Sequence, residues 1–91
     1  MKQVERDITV VNKLGLHARA AAALVSTAAG FESSVQLAYQ GKAVDAKSIM
    51  GVMMLAATRG AEVRLVADGP DAEDAAARIE ELFANRFGEE E

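Results

Sequence analysis

The sequence predicts an α+β domain in which one four-stranded sheet carries three helices on one face. Four segments alternate apolar and polar residues, which is typical of strands that bury one face and expose the other. Three further segments carry one apolar stripe at helical spacing, so each can cover the same side of the sheet. The chain has 91 residues, enough for one modest core, which predicts a single domain over residues 1–88.

The predicted order begins with a strand and a helix. Apolar residues alternate over about residues 3–11, where β-branched side chains also favour a strand. Alanine dominates residues 17–29, and because alanine is the best helix former we expect a helix there. Gly30 follows the last apolar position and is expected to end this helix as a left-handed cap.

A hairpin and a short helix are predicted in the middle of the chain. Residues 32–39 alternate as a second strand, a Gln-Gly pair marks a tight turn, and residues 42–44 return as a third strand. Ser48 is a good N-cap residue for a helix over residues 49–55. A glycine inside that helix weakens it by about 1 kcal/mol relative to alanine.

The last part of the chain predicts a strand followed by a longer helix. Residues 62–68 alternate cleanly and form the fourth strand. Asp71 is expected to cap a helix whose apolar positions run over residues 72–87. Gly88 is expected to stop this helix, and residues 89–91 to form a frayed acidic tail.

The amino-acid composition argues against several classes of function. The chain has no cysteine, which excludes disulfides, thiolate metal sites and cysteine nucleophiles. Its one histidine argues against a zinc site, and its net charge of −4 argues against a general nucleic-acid binder. No stretch approaches the roughly 20 apolar residues of a membrane helix, and the charged N-terminus lacks a signal-peptide pattern. We therefore expect a cytoplasmic chain that does not bind nucleic acid and does not insert into a membrane. We also expect it to be a monomer and to need no cofactor.

The single histidine stands where the first predicted helix begins. In segment 15–19, a glycine precedes His17 and Arg19 follows it. First-turn N–H groups, such as those of Ala18 and Arg19, lack intrahelical partners and suit a bound anion. Neutral imidazole is a nucleophile, and a guanidinium adds a forked contact to phosphate oxygens. These residues suit reversible phosphorylation of His17, although a lone histidine at a helix start is more often a surface or capping residue.

Segment 15–19 resembles the active-site segment of HPr, the phosphocarrier family of the bacterial phosphoenolpyruvate:sugar phosphotransferase system. Segment 47–53 is similar to the region of that family that carries a regulatory serine, and the element order agrees along nearly the whole chain. The resemblance implies an open-faced β-sandwich with an antiparallel sheet. It also implies a carrier rather than an enzyme: His17 takes a phosphoryl group on Nδ1 from phosphorylated enzyme I and passes it to an enzyme II A domain. Arg19 matches the family's active-site arginine.

The same resemblance gives the short helix after Ser48 a role in regulation and docking. Ser48 would be phosphorylated by an ATP-dependent HPr kinase/phosphorylase, whereas composition alone makes it a plain N-cap. Phosphate at a helix N-terminus is favourable and adds about two negative charges. We expect Val52 and Leu55 to face the core. The surface expected to dock enzyme I and enzyme II domains comprises Lys47, Ile49, Met50 and Met53.

One departure from the family and three alternative functions stay open. Ala20 stands where the family usually has proline, so the helix entrance is expected to form but to be less rigid. Within the family, the chain could belong to the nitrogen-related branch, which feeds a regulatory relay rather than sugar uptake. Outside it, the chain could be a regulatory binding module whose His17 is never phosphorylated. A small histidine phosphatase is the third alternative, but it would need further acid–base groups near His17.

Overall fold

The computed structural model describes residues 2–89 of the chain. Its strands and helices follow the order βαββαβα, and one turn of 3-10 helix comes last. In chain order they are β1 (Lys2–Thr9), α1 (Ala18–Ala29), β2 (Ser34–Tyr39), β3 (Lys42–Asp45), α2 (Ile49–Met54), β4 (Glu62–Gly69), α3 (Ala72–Ala84) and the 3-10 turn Arg86–Gly88. The predicted α+β fold and its element order are confirmed.

The four strands form one antiparallel sheet in the order β1-β4-β2-β3. Its register places Leu37 of β2 opposite Leu65 of β4, and Ile8 of β1 opposite Val63 of β4. All four side chains are buried, so apolar residues form rows across the face that the helices cover. The other face is open, and there Arg64 forms ion pairs with two carboxylates of β1. This one-sided burial is the open-faced arrangement that the sequence predicted.

The core lies between the sheet and the three helices. Each helix contributes fully buried apolar side chains: Leu24 from α1, Val52 from α2, and Ile79 and Phe83 from α3. Buried alanines fill much of the remaining interface, and their small side chains allow the helices to pack closely on the sheet. Every helix within residues 2–89 is too short or too polar to span a membrane.

The end of α1 differs from the prediction. Gly30 is right-handed, with φ −75° and ψ −6°, so the expected left-handed cap at this glycine is wrong. A tightened turn satisfies the last carbonyls instead: the Gly30 N–H donates to Thr27 O at 3.2 Å, and the Phe31 N–H donates to Ala28 O at 3.1 Å. Because these bonds need no left-handed residue, the conformational freedom of the glycine is not used.

Asp71 precedes α3, as predicted, but its side chain does not cap the helix. The carboxylate accepts hydrogen bonds from the Ser33 hydroxyl at 2.5 Å, the Ser33 N–H at 2.9 Å and the Glu32 N–H at 3.0 Å. These bonds, that of the Ser33 hydroxyl above all, lower the pKa of Asp71. The predicted cap is therefore wrong, because the carboxylate ties the start of α3 to the loop before β2.

Helix α3 ends at Ala84, three residues before the predicted end of the helical pattern at 87. Arg86 and Phe87 both have a φ of 55°, a left-handed conformation that costs non-glycine residues roughly 1–2 kcal/mol each. Gly88 is left-handed as well, with a φ of 80°. The chain therefore turns back from α3 and brings Glu89 to the start of α1.

Candidate active site

A close backbone approach fixes the loop in front of α1. Gly15 is left-handed at φ 66°, and a Cβ atom added there would come within 2.5 Å of the Ala57 carbonyl oxygen. The next residue, Leu16, donates its N–H to the same oxygen at 3.0 Å and buries its side chain. Only glycine fits this position, so the segment after α2 holds the start of α1 in place.

His17 is the N-cap residue of α1. Its backbone is extended, at φ −74° and ψ 178°, and its carbonyl accepts the Ala21 N–H at 2.8 Å. The ring Nδ1 atom accepts the Arg19 N–H at 3.3 Å. The imidazole thus lies at the positive end of the helix, as expected from the sequence, and Nδ1 is the ring atom that faces the first-turn N–H groups.

The other ring nitrogen of His17 is held by a carboxylate. Glu89 Oε2 lies 2.5 Å from His17 Nε2. Both side chains are largely shielded from water: that of Glu89 is 12% exposed and that of His17 is 28% exposed. The second carboxylate oxygen accepts a hydrogen bond from Asn12 Nδ2 at 3.0 Å. Asn12 Nδ2 also donates to the Gly15 carbonyl at 2.8 Å. A chain of hydrogen bonds therefore runs from the Gly15 loop through Asn12 and Glu89 to the imidazole.

Glu89 is ionised in this arrangement. Burial raises the pKa of the Glu89 carboxyl, but hydrogen bonds from Asn12 and His17 and the positive charge of Arg19 outweigh it, so the net pKa is lowered. The carboxylate form is therefore fully populated at neutral pH, where it acts only as a hydrogen-bond acceptor.

Asn12 is fully buried, and its orientation follows from its partners. The amide nitrogen donates to two oxygens, whereas Oδ1 has no hydrogen-bond partner among residues 2–89. A flipped amide would place Oδ1 against two acceptors, so the assigned orientation is the favourable one. Leaving a buried acceptor unpaired costs about 1–3 kcal/mol, and the two bonds to Gly15 and Glu89 offset that penalty.

The sequence alone points to neither Asn12 nor Glu89. Asn12 falls in a predicted loop, and Glu89 falls in the predicted frayed tail, an expectation that its contact with His17 overturns for this residue. Residues 90 and 91 lie outside the described part of the chain. Glu89 and His17 are 72 positions apart, and no local pattern encodes a pairing at that distance.

The predicted phosphate-binding residues are exposed at the entrance of α1. Ala18 and Arg19 occupy the first turn, and both side chains face solvent. The Arg19 N–H already binds Nδ1 of His17, and the Arg19 guanidinium is close enough to Glu89 to lower the pKa of that carboxyl. Ala20, which stands where the family has proline, is fully buried.

Ser48 caps α2, as predicted: its Oγ accepts the Gly51 N–H at 3.1 Å. A Cβ atom added to Gly51 would lie 3.3 Å from both Ser48 Oγ and Val44 Cβ, so this glycine allows α2 to pack closely against β3. Lys47, a predicted docking residue, is half-buried and donates its ammonium to the Phe31 carbonyl at 2.9 Å. Its role in docking stays a prediction.

The outer side of α2 is an exposed apolar surface, which we name the α2 patch. Its side chains are 41% to 71% exposed and comprise Ile49, Met50, Met53 and Met54. Val52 and Leu55 are buried, as predicted, and the patch includes three of the four predicted docking residues. Leu14, 64% exposed in the loop before His17, is a further apolar side chain that the sequence did not single out. Because α1 and α2 pack together, the α2 patch and His17 lie on neighbouring elements.

The fold and the histidine cap place this chain among small α+β proteins that present one imidazole at a helix N-terminus. A family model described as "PTS HPr component phosphorylation site" matches residues 4–85. The phosphocarrier protein HPr of Cupriavidus necator is 56% identical over 88 residues, which cover 97% of this chain and 99% of that relative. The chain therefore belongs to the HPr family, the phosphocarriers of the phosphotransferase system.

Solved structures agree with this assignment. HPr from Thermoanaerobacter tengcongensis superposes with a TM-score of 0.91 at 45% identity, and the match covers 100% of both chains. HPr from Bacillus anthracis superposes with a TM-score of 0.85 at 37% identity, over 89% of this chain and 96% of that one. The open-faced sandwich is thus the fold of experimentally determined members of the family.

Proposed function

We propose that His17 carries the phosphoryl group on Nδ1, receives it from phosphorylated enzyme I and passes it to an enzyme II A domain. One observation carries the proposal: His17 caps α1 with Nδ1 facing the first-turn N–H groups. A phosphoryl group on Nδ1 would take over the N–H bond that the ring now accepts. The helix dipole favours the negative charge of that group at the same position.

Transfer then proceeds as a displacement at phosphorus. The Nδ1 lone pair of His17 attacks phosphorus, the bond from phosphorus to the donor breaks, and its electron pair stays on the donor. The N–H groups of Ala18 and Arg19 and the exposed Arg19 guanidinium bind the phosphoryl oxygens. The reverse displacement gives the group to the acceptor. Because partner active sites drive both steps, the chain acts as a carrier and not as a free-standing enzyme.

We propose the α2 patch as the surface that docks both partners. Methionine side chains are flexible and polarisable, so they can adapt to more than one partner surface. A carrier must release its partner quickly, and such transient contacts bury less than about 1,200 Å² in total. Ile49, Met50 and Met53 are exposed for this role, whereas the Lys47 ammonium is already hydrogen-bonded. The predicted cytoplasmic location and monomeric state stay predictions.

We also propose that Ser48 is a regulatory phosphorylation site. Its hydroxyl lies at the start of α2, directly beside the α2 patch, and accepts one backbone N–H. A phosphate there would add about two negative charges next to the docking surface and weaken apolar docking. Incubation with ATP and an HPr kinase should add one acid-stable phosphate that Ser48→Ala prevents. No incorporation into the wild-type chain would refute the regulatory role and leave the carrier role intact.

Labelling by enzyme I tests the carrier role. With enzyme I, Mg²⁺ and phosphoenolpyruvate, we expect the chain to gain one acid-labile, base-stable phosphate. His17→Ala should remove the label, whereas Ser48→Ala, the matched change at the other helix cap, should keep it. A label that persists in His17→Ala would refute the proposal. Offering sugar-type and nitrogen-type enzyme II A domains as acceptors then separates the two branches of the family.

A further inference from the structure

We propose that Glu89 is a positioning residue for phosphoryl transfer: it holds Nε2 of His17 and so leaves Nδ1 as the nucleophilic atom of the ring. The inference rests on the proposed function, because it concerns the same imidazole. The contact that carries it joins Glu89 Oε2 to His17 Nε2 at 2.5 Å. Carboxylates orient imidazoles in this way in nucleophilic and metal sites of other proteins.

Hydrogen bonds on the two sides of the ring select one tautomer. The Glu89 carboxylate can only accept, so Nε2 carries the proton in this contact. The Arg19 backbone N–H can only donate, so Nδ1 carries the lone pair. Both contacts therefore give the same assignment, with the proton on Nε2 and the nucleophilic lone pair on Nδ1.

The same carboxylate balances the charge that transfer creates. When Nδ1 bonds to phosphorus and the donor's bond to phosphorus breaks, Nε2 keeps its proton and the ring becomes positively charged. Glu89 lies against the Nε2 edge of that ring and is only 12% exposed, so water screens the attraction weakly. When the group leaves, its bonding electron pair returns to Nδ1 and the ring is neutral again. No proton needs to leave the site in either direction.

Glu89 is held in place from two directions. On one side, the buried Asn12 amide donates to its Oε1 atom and to the Gly15 carbonyl, which ties the carboxylate to the loop before His17. On the other, the left-handed turn over residues 86–88 directs the chain back from α3, and Phe87 packs on Phe83 with ring centroids 4.8 Å apart. Two non-glycine residues in this turn are locally unfavourable, so the contacts that it permits must offset the strain.

A small phosphoryl donor tests the assignment without any partner protein. Phosphoramidate phosphorylates imidazoles directly, and because the chain has 1 histidine, every phosphohistidine signal comes from His17. Heteronuclear magnetic resonance distinguishes phosphate on Nδ1 from phosphate on Nε2. We expect the Nδ1 isomer alone in the wild-type chain and both isomers in Glu89→Ala. The control is Glu81→Ala, which removes an exposed carboxylate of α3 and should match the wild type.

Two results of this experiment would overturn the proposal. One is a mixture of isomers in the wild-type chain, which would mean that Glu89 does not block Nε2. The other is the Nδ1 isomer alone in Glu89→Ala, which would mean that something else selects Nδ1. Neither result depends on stability, because isomer ratios are read from the folded, labelled chain.

Rates of phosphoryl transfer from enzyme I distinguish the effect of the Glu89 charge from the effect of its side-chain size. Glu89→Gln keeps the size of the side chain and an oxygen acceptor but removes the charge. We expect kcat for phosphorylation to fall about tenfold, equivalent to about 1.4 kcal/mol, with KM for the chain unchanged. Glu81→Gln should leave both constants as in the wild type. An unchanged kcat in Glu89→Gln would refute the charge role, whereas absence of any label on His17 of the wild type would refute the proposed function itself.

Discussion

The starts of α1 and α2 are built alike but supported differently. His17 accepts the Arg19 N–H at 3.3 Å, and Ser48 accepts the Gly51 N–H at 3.1 Å, so each side chain caps its helix. However, His17 has a second partner, because its Nε2 atom contacts the Glu89 carboxylate. That carboxylate in turn accepts a hydrogen bond from the buried Asn12. The Ser48 hydroxyl has only its capping bond among the described contacts. A second partner fixes both the orientation and the tautomer of the histidine, whereas the described contacts give the serine no such support.

The two glycines beside these caps should give the largest difference. In Gly15→Ala, the new Cβ would lie 2.5 Å from the Ala57 carbonyl oxygen at a φ of 66°, so we expect a loss of about 3 kcal/mol or more in unfolding free energy. In Gly51→Ala, contacts of 3.3 Å oppose a gain in helix propensity, so the net change should stay within about 1 kcal/mol. Urea unfolding measures both. Equal losses would show that the two entrances are not constrained differently.

The groups that support each cap should differ next. Asn12→Ala leaves the Gly15 carbonyl and one Glu89 oxygen without their donor, and we expect it to lower the unfolding free energy by about 2 kcal/mol. Ser48→Ala removes a single N-cap bond, for which about 1 kcal/mol is typical. Thermal unfolding of the two variants compares them directly. A smaller effect of Asn12→Ala than of Ser48→Ala would mean that the buried amide does not support the His17 loop.

Acid should weaken the support of His17. The folded-state pKa of Glu89 is lowered from its ordinary value of 4.5, so its ionised contacts contribute stability above that value. This stability is lost as the pH falls through the lower, folded-state pKa. The difference in unfolding free energy between the wild type and Glu89→Gln should therefore shrink as the pH falls from about 7 to about 3. Urea titrations at the two pH values measure it, and a difference that grows in acid would contradict the sign.

The smallest effect concerns the residue where the family has proline. Ala20 lies in the first turn of α1, where a missing N–H removes no intrahelical bond, so Ala20→Pro should stabilise the fold by about 0.5 kcal/mol. Ala22→Pro, two residues further into the helix than Ala20, should instead destabilise it by about 3 kcal/mol. Melting temperatures of the two variants test this contrast. A loss of stability in Ala20→Pro would show that the buried position has no space for the ring.

Local patterns were sufficient for the fold and for both caps. The sheet and the helices follow from alternation and apolar stripes, and His17 and Ser48 each stand directly before a helix that their neighbours predict. The expectations that proved wrong, the cap at Gly30 and the cap by Asp71, concern groups whose alternative partners decided the outcome. Asp71 binds the loop at Ser33, 38 positions earlier in the chain. The contact of Glu89 with His17 could not be predicted either, because only the folded chain brings together two residues that are 72 positions apart.

The position of the phosphoryl group on the wild-type chain tests the central claim most directly. After incubation with enzyme I, Mg²⁺ and phosphoenolpyruvate, magnetic resonance of the isotope-labelled imidazole reports whether a nitrogen of His17 is bonded to phosphorus, and which one. Our account gives one phosphate per chain, bonded to Nδ1, with Nε2 still protonated against Glu89. A phosphate on Nε2, or a labelled chain whose imidazole is unmodified, would contradict it.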